Sequence, residues 1–246
     1  MNIRKVIKLF KRGNCCITGL RGTGKDMLTS NVIIRRKKPY LSNVNYGGKY
    51  IPLDFKELDV GNSYDNFISS QINKFIYPYE KCDVYVSDAG IYFPSQYNNQ
   101  LDKKYEGLAE FQALSRHLGD SNFHINVQSL NRVWNKIREQ SETYIRCNWC
   151  KVLFSKLVIQ KITIYEKYES CLNNVHPNRI KPPSLLAKKE VRQQYDFYRD
   201  NFNNTHGKIK SLLLIYINKS NYDTRRFKTL LARFPSLKIE IGDENA

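Results

Sequence analysis

Eight residues near the N-terminus, Gly19-Leu20-Arg21-Gly22-Thr23-Gly24-Lys25-Asp26, hold the clearest chemistry in this 246-residue chain. They follow the spacing G-x-x-x-x-G-K. Glycines allow successive backbone N–H groups to curl around an anion, and the start of a helix adds partial positive charge. Lys25 is placed to reach the β- and γ-phosphates of a nucleoside triphosphate. The candidate binding residues are Gly19, Arg21, Gly22, Thr23, Gly24, Lys25, Asp26 and Met27. A Ser or Thr usually follows the lysine, and its hydroxyl ligates Mg²⁺. Asp26 stands there instead. A carboxylate can ligate the same ion, but it brings negative charge close to the phosphates. The alternative is a surface turn with Lys25 as a solvated charge. Its flanks oppose that: apolar Cys15-Cys16-Ile17-Thr18 precedes the octet, and a helical segment, Met27 to Arg36, follows it.

A second carboxylate stands at the end of Cys82-Asp83-Val84-Tyr85-Val86-Ser87-Asp88, which reads as a buried strand. An acid at such a strand end holds the metal shell in phosphate-transferring enzymes, so Asp88 is a candidate Mg²⁺ ligand. The bland alternative is an Asp capping a turn before Ala89-Gly90.

These groups need a scaffold of alternating strands and helices. Strands are expected at 14–19, 40–46, 82–88 and 122–128, and helices at 24–36, 106–118 and 131–140. Short helices are expected within 54–76. In 122–128, Phe123, Ile125 and Val127 alternate with His124, Asn126 and Gln128, the period of a strand. In 106–118, Leu108, Phe111, Leu114 and Leu118 share one helical face. Two strands at 144–152 and 157–166 suggest a hairpin extending the sheet. The expectation is an α/β fold with a mostly parallel central sheet flanked by helices.

Residues 1–12 form a basic amphipathic helix with Ile3, Val6, Ile7 and Phe10 on one face. It reads either as a membrane-surface anchor or as a terminal helix packed on its own domain. Residues 13–172 hold the phosphate-binding domain, and Pro-containing 173–190 reads as a linker or long loop. Residues 191–246 form a C-terminal α/β extension: a helix over 187–203, a strand at 209–218, a helix at 222–234 and a strand at 237–241. These are either a small appendage or strands added to the main sheet.

Forty Lys and Arg against 23 Asp and Glu give a net charge of +17. Such a field attracts nucleic acid or an anionic surface. No apolar run approaches the roughly 20 residues that span a bilayer, and no secretory signal is recognisable. The six cysteines fit a reduced, cytoplasmic chain. Cys147, Cys150, Cys171 and His176 are a loosely spaced zinc set, read chiefly as packing thiols.

Several features now line up in order: the glycine-rich loop, the strand ending in Asp88, then Ile91-Tyr92-Phe93-Pro94-Ser95. Ser115-Arg116-His117, the strand ending Val127-Gln128-Ser129, and Ile137-Arg138 follow. Over about residues 13–150 the sequence resembles the zonula-occludens-toxin-like P-loop ATPases of filamentous-phage assembly, which lie near the HerA–FtsK group of DNA-pumping, RecA-like ATPases. The resemblance implies ATP and Mg²⁺ as cofactors and a homo-oligomeric ring. It also implies DNA held without sequence preference, and viral coat or membrane assembly proteins as further partners. Gln128 would read the γ-phosphate or position the attacking water. Arg116 or Arg138 would be an arginine finger offered to a neighbouring subunit, where a guanidinium stabilises charge on the transferred phosphoryl group. Lys25, Asp88, Gln128, Arg138 and Arg116 are thus the candidate catalytic set.

Two positions depart from the family pattern. Asp26 replaces the Walker A Ser or Thr, and Ala89 replaces the Glu that polarises water. Loss of that carboxylate slows hydrolysis unless another acid substitutes, and Glu106 and Glu110 are the nearest downstream. Two functions therefore remain open: an ATPase driving viral DNA packaging, extrusion or virion assembly, and a nucleotide-binding scaffold that does not turn over.

Overall fold

Cys15–Thr18 form strand β1, and all four residues are buried. The chain then passes through the glycine-rich loop into helix α2, Lys25–Arg36, which ends with Arg35 and Arg36 in its last turn. Cations there complement the carbonyl end of the helix. The computed structural model describes residues 3–52, 82–97, 121–154, 156–177, 182–184 and 186–219. The helices expected within 54–76 and at 106–118, and the elements expected at 222–234 and 237–241, lie outside the described residues.

The remaining strands are β2 (Tyr40–Ser42), β3 (Tyr50–Pro52), β4 (Asp83–Val86), β5 (Phe123–Val127), β6 (Thr143–Leu153), β7 (Leu157–Tyr165) and β8 (Ile209–Ile217). They form one eight-stranded sheet in the order β3-β2-β4-β5-β1-β6-β7-β8. The first six run parallel. The β6–β7 hairpin and β8 pair antiparallel. The expected α/β architecture with a mostly parallel sheet is therefore present. β8 pairs with β7 along its full length, so this part of the C-terminal segment extends the main sheet.

Side chains alternate across the sheet and build a core on each face. On one face Cys15 and Ile17 of β1 pack with Leu28 and Val32 of α2 and with Val6 and Phe10 of α1, Arg4–Arg12. On the other, Cys16 packs with Phe123, Ile125 and Val127 of β5 and with Ala89, Trp134 and Ile137. Those three belong to or precede the short helices α3 (Ala89–Tyr92) and α4 (Asn135–Glu139). Helix α5 (Tyr168–Leu172) adds Cys171 to the same core, and α6 (Lys189–His206) precedes β8.

The apolar face of α1 is spent on its own domain. Ile3, Val6 and Phe10 are buried, and the Phe10 ring lies 4.7 Å from His124. The packed-helix reading is the one the structure shows. Among the described residues no helix is long and apolar enough to cross a membrane.

Several expected elements are shorter than their patterns: β4 ends at Val86, two residues before Asp88, and two others depart further. The strand expected over 40–46 stops at Ser42, because the Tyr46 amide donates to the Tyr40 hydroxyl at 2.9 Å and turns the chain. The helix expected over 131–140 is split. Val133 bridges to Pro94, and the Trp134 amide donates to Phe93 O at 2.8 Å. Both side chains are fully buried, so tertiary packing overrides the helical period there.

A charge cluster ties α2 to β4. Asp83, buried, meets Arg36 at 2.6 Å and Lys38 at 2.8 Å, and accepts the Asn122 amide at 3.2 Å. Beside it His124 accepts the Cys15 amide at Nδ1. Burial, with Arg36 and Lys38 nearby, holds the His124 pKa well below its ordinary value.

Candidate functional site

Parallel strands bring their carboxyl ends to one edge of the sheet, where ligands of open α/β folds bind. Register aligns Thr18 with Val127, Val86 with Ile125 and Ser42 with Tyr85. The loop after β1, Gln128 after β5, Ser87-Asp88 after β4 and Asn43 after β2 therefore share one corner.

The loop itself has the conformation its glycines permit. Gly22 and Gly24 have φ of 81° and 82°, the left-handed region. Gly24 is also pressed onto the sheet: a Cβ there would lie 2.7 Å from Cys150 Cβ and 2.9 Å from Gln160 Nε2. Gly24 caps α2 with no side-chain cap bond, so the amides of the first turn lack an intrahelical acceptor. Lys25 is 7% exposed, and its Nζ donates to Gly19 O at 2.7 Å and Leu20 O at 3.2 Å. Its ammonium is thus held inside the curve of the loop. Arg21 and Leu20 lie exposed at the tip, and Thr23 Oγ1 donates back to Leu20 O at 2.7 Å.

Asp26 does not project to bulk water. One carboxylate oxygen, Oδ1, accepts from the Tyr46 hydroxyl at 3.0 Å, Asn126 Nδ2 at 3.1 Å and Ser87 Oγ at 3.3 Å. Thr29 Oγ1 donates to Asn126 Oδ1 at 3.1 Å and fixes that amide. Asn43 grips the Ser87 main chain on both sides, accepting its N–H at 2.8 Å and donating to its carbonyl at 2.9 Å. Asp88 follows in a left-handed conformation, φ 50°, that Asp tolerates, and starts α3. Ala89 is fully buried. Gln128 is exposed one residue past β5, beside the start of the loop.

A buried strut supports the loop from beneath. Gln160 of β7 is fully buried, and its Nε2 donates to Thr23 O and Gly24 O, each at 3.0 Å. Its Oε1 accepts the Tyr216 hydroxyl of β8 at 3.0 Å. The antiparallel strands thereby set the loop's underside. Sequence reasoning missed Tyr46, Asn43, Ser87, Asn126, Gln160 and Tyr216. The available signal was a polar residue within an apolar strand, as in Ile125-Asn126-Val127 and Ile159-Gln160, which must find a partner when buried.

Other expected residues are not brought to this corner within one chain. Arg138 lies at the opposite end of the sheet, four residues before Glu142, whose amide donates to Asn14 O at the start of β1. Its guanidinium sits 4.7 Å over the Tyr168 ring and 3.3 Å from Glu139. Arg116, Glu106 and Glu110 lie outside the described residues.

The cysteine set does not converge. A register shift between Cys147 and Trp149 turns Cys147 and Cys150 to the same face, against the plain alternation of a strand. Cys171 belongs to the core on the other face. Burial pushes the Cys147 and Cys171 thiols up to about 12, as packing thiols require. No group of three metal-binding side chains occurs among the described residues.

No protein-family profile and no curated protein matches the sequence. Among solved structures, the chain is similar to the N-terminal domain of zonular occludens toxin from Neisseria meningitidis. Identity is 15% and the TM-score 0.46, over 74% of this chain and 97% of that one. It is also similar to the genome packaging NTPase B204 from Sulfolobus turreted icosahedral virus 2, in complex with AMPPCP. There identity is 12% and the TM-score 0.43, over 63% of this chain and 92% of that one. A likeness to the cytoplasmic domain of EssC has 13% identity and a TM-score of 0.44, over 93% of this chain and 46% of that one.

Proposed function

We propose that this chain is a P-loop ATPase that binds Mg-ATP and acts on DNA in viral packaging, extrusion or virion assembly. One observation carries the nucleotide part. The buried Lys25 ammonium, the open amides of the first turn of α2 and the Asp26 carboxylate stand at one edge of the sheet, facing the end of β4. That is a cation and a set of N–H donors suited to phosphate oxygens, beside a carboxylate able to ligate a metal ion.

The residues present fit ATP and Mg²⁺. Backbone amides from Gly22 to Met27 would surround the phosphates. Lys25 would exchange its two carbonyl partners for phosphate oxygens. Asp26 and a side chain from the end of β4 would hold the metal, and Gln128 would orient water from the neighbouring strand. Mg²⁺, when bound, would supply neutralisation of the phosphate charge. A finger from Arg138 would have to act on another copy of the chain, which is consistent with a ring.

DNA as partner rests on the net charge of +17 and on the sequence resemblance. Contacts to phosphates release counterions, so affinity should fall steeply between low and moderate salt, with little sequence preference. The second reading, a scaffold that does not turn over, draws on one observation. Ala89 is fully buried and supplies no acid where the family pattern has Glu.

Calorimetric titration with ATP, with and without Mg²⁺, tests the nucleotide claim. Binding by the unaltered chain and its loss in Lys25→Ala are expected. Equal binding by Lys25→Ala would sink the proposal. Steady-state phosphate release with and without DNA separates ATPase from scaffold.

A further inference from the structure

Asp26 is odd only while β4 is expected to bring a second carboxylate to the same point. In phosphate-binding loops of this type a hydroxyl at the helix start and an Asp from a neighbouring strand share the metal ion. In this structure the side chain of β4's end that meets position 26 is Ser87, with its Oγ 3.3 Å from Asp26 Oδ1. We infer that the two protein oxygens have exchanged elements: the carboxylate for the metal comes from Asp26 on α2, and the hydroxyl from Ser87 after β4. This rests on the nucleotide reading above.

Three features support it. First, Ser87 is 2% exposed, and its main chain is pinned on both sides by Asn43, so its hydroxyl is aimed by the fold. Second, all three donors to Asp26 use the same oxygen, Oδ1, and none of the described residues donates to Oδ2. The carboxylate is oriented and keeps an oxygen for a cation. Third, one carboxylate and one hydroxyl still face each other at this point, with the elements that supply them exchanged. Asp88, the next residue, is thereby released from the metal and remains as an acid at the same strand end.

The experiment is Mn²⁺ titration by electron paramagnetic resonance in the presence of AMPPCP, with AMPPCP binding in metal-free buffer measured alongside. Asp26→Asn keeps a hydrogen-bond acceptor and should keep the thermal midpoint, while Mn²⁺ affinity falls at least about tenfold, the scale of disturbing a metal site. Ser87→Ala should also weaken Mn²⁺. The exchange variant Asp26→Ser with Ser87→Asp restores one hydroxyl and one carboxylate and should recover affinity to within about threefold of the parent, an allowance for imperfect geometry. Asp88→Asn should leave Mn²⁺ affinity unchanged. A hydrogen-bonded strut with no metal role predicts wild-type Mn²⁺ affinity in Asp26→Asn, and that result overturns the inference. So does an exchange variant that binds AMPPCP but takes Mn²⁺ no better than either single variant, or loss of Mn²⁺ in Asp88→Asn alone. Failure of the unaltered chain to bind AMPPCP at all overturns the nucleotide reading itself, and this inference with it.

Discussion

Replacing Gln160 by Met should loosen the glycine-rich loop from a distance. The side chain makes three hydrogen bonds, two to loop carbonyls and one from the Tyr216 hydroxyl. Each is worth about 1 kcal/mol net, so a near-isosteric apolar replacement costs about 3 kcal/mol. Part of that cost is the Tyr216 hydroxyl, left without its acceptor in a site buried enough to push its pKa well up. Adding Tyr216→Phe removes the stranded hydroxyl, so the double variant should be more stable than the sum of the singles predicts. Such non-additivity is the mark of a shared network. The assay is urea unfolding of the four chains, with ATP titration in parallel. ATP affinity should fall about tenfold in Gln160→Met, roughly 1.4 kcal/mol, because the loop carbonyls lose the donor that turns their amides outward. Additive energies, or a Gln160→Met chain as stable and as tightly binding as the parent, would refute the strut.

The two loop glycines should respond differently. Gly22→Ala meets nothing within 4 Å and carries only the left-handed backbone cost, about 1 kcal/mol, whereas Gly24→Ala also collides with Cys150 and Gln160 and should lose both stability and ATP binding; equal effects in unfolding and titration would contradict the packing. Asp83→Asn strips the partner from Arg36 and Lys38 in a buried cluster and should cost about 3–5 kcal/mol in urea unfolding, with a loss under about 1 kcal/mol counting against it. Acid should destabilise the fold through His124. Its native pKa is depressed, so below about 6.5 the unfolded chain takes up a proton that the native chain refuses, and stability drops by up to about 1.4 kcal/mol per pH unit until the native pKa is reached. In His124→Gln the fall in thermal midpoint between about pH 6.5 and 5 should be shallower, and an identical fall would assign it to other groups.

Local signals carried far where a few neighbours decide the outcome. The strand, glycine turn and helix of residues 15–36 were legible because spacing and backbone preference are encoded within the segment itself. The β6–β7 hairpin and the strand at 209–217 were legible for the same reason. The expected helix at 131–140 was not, because Val133 and Trp134 pair with Pro94 and Phe93, some forty residues earlier. The face on which Cys150 lies was not legible either, because one bulge in β6 turns it to the side of Cys147.

Residue chemistry alone was enough to mark Lys25 and Asp26 as phosphate and metal candidates, since their types and their distance from the glycines are local properties. Which partners those groups meet depended on strand order. Placing β5 between β1 and β4 brings Asn126 and Ser87 to Asp26, and joining β7 and β8 to the sheet brings Gln160 under Gly24. Contacts made across such separations depend on which edge each strand joins, a choice made by burial of the whole core.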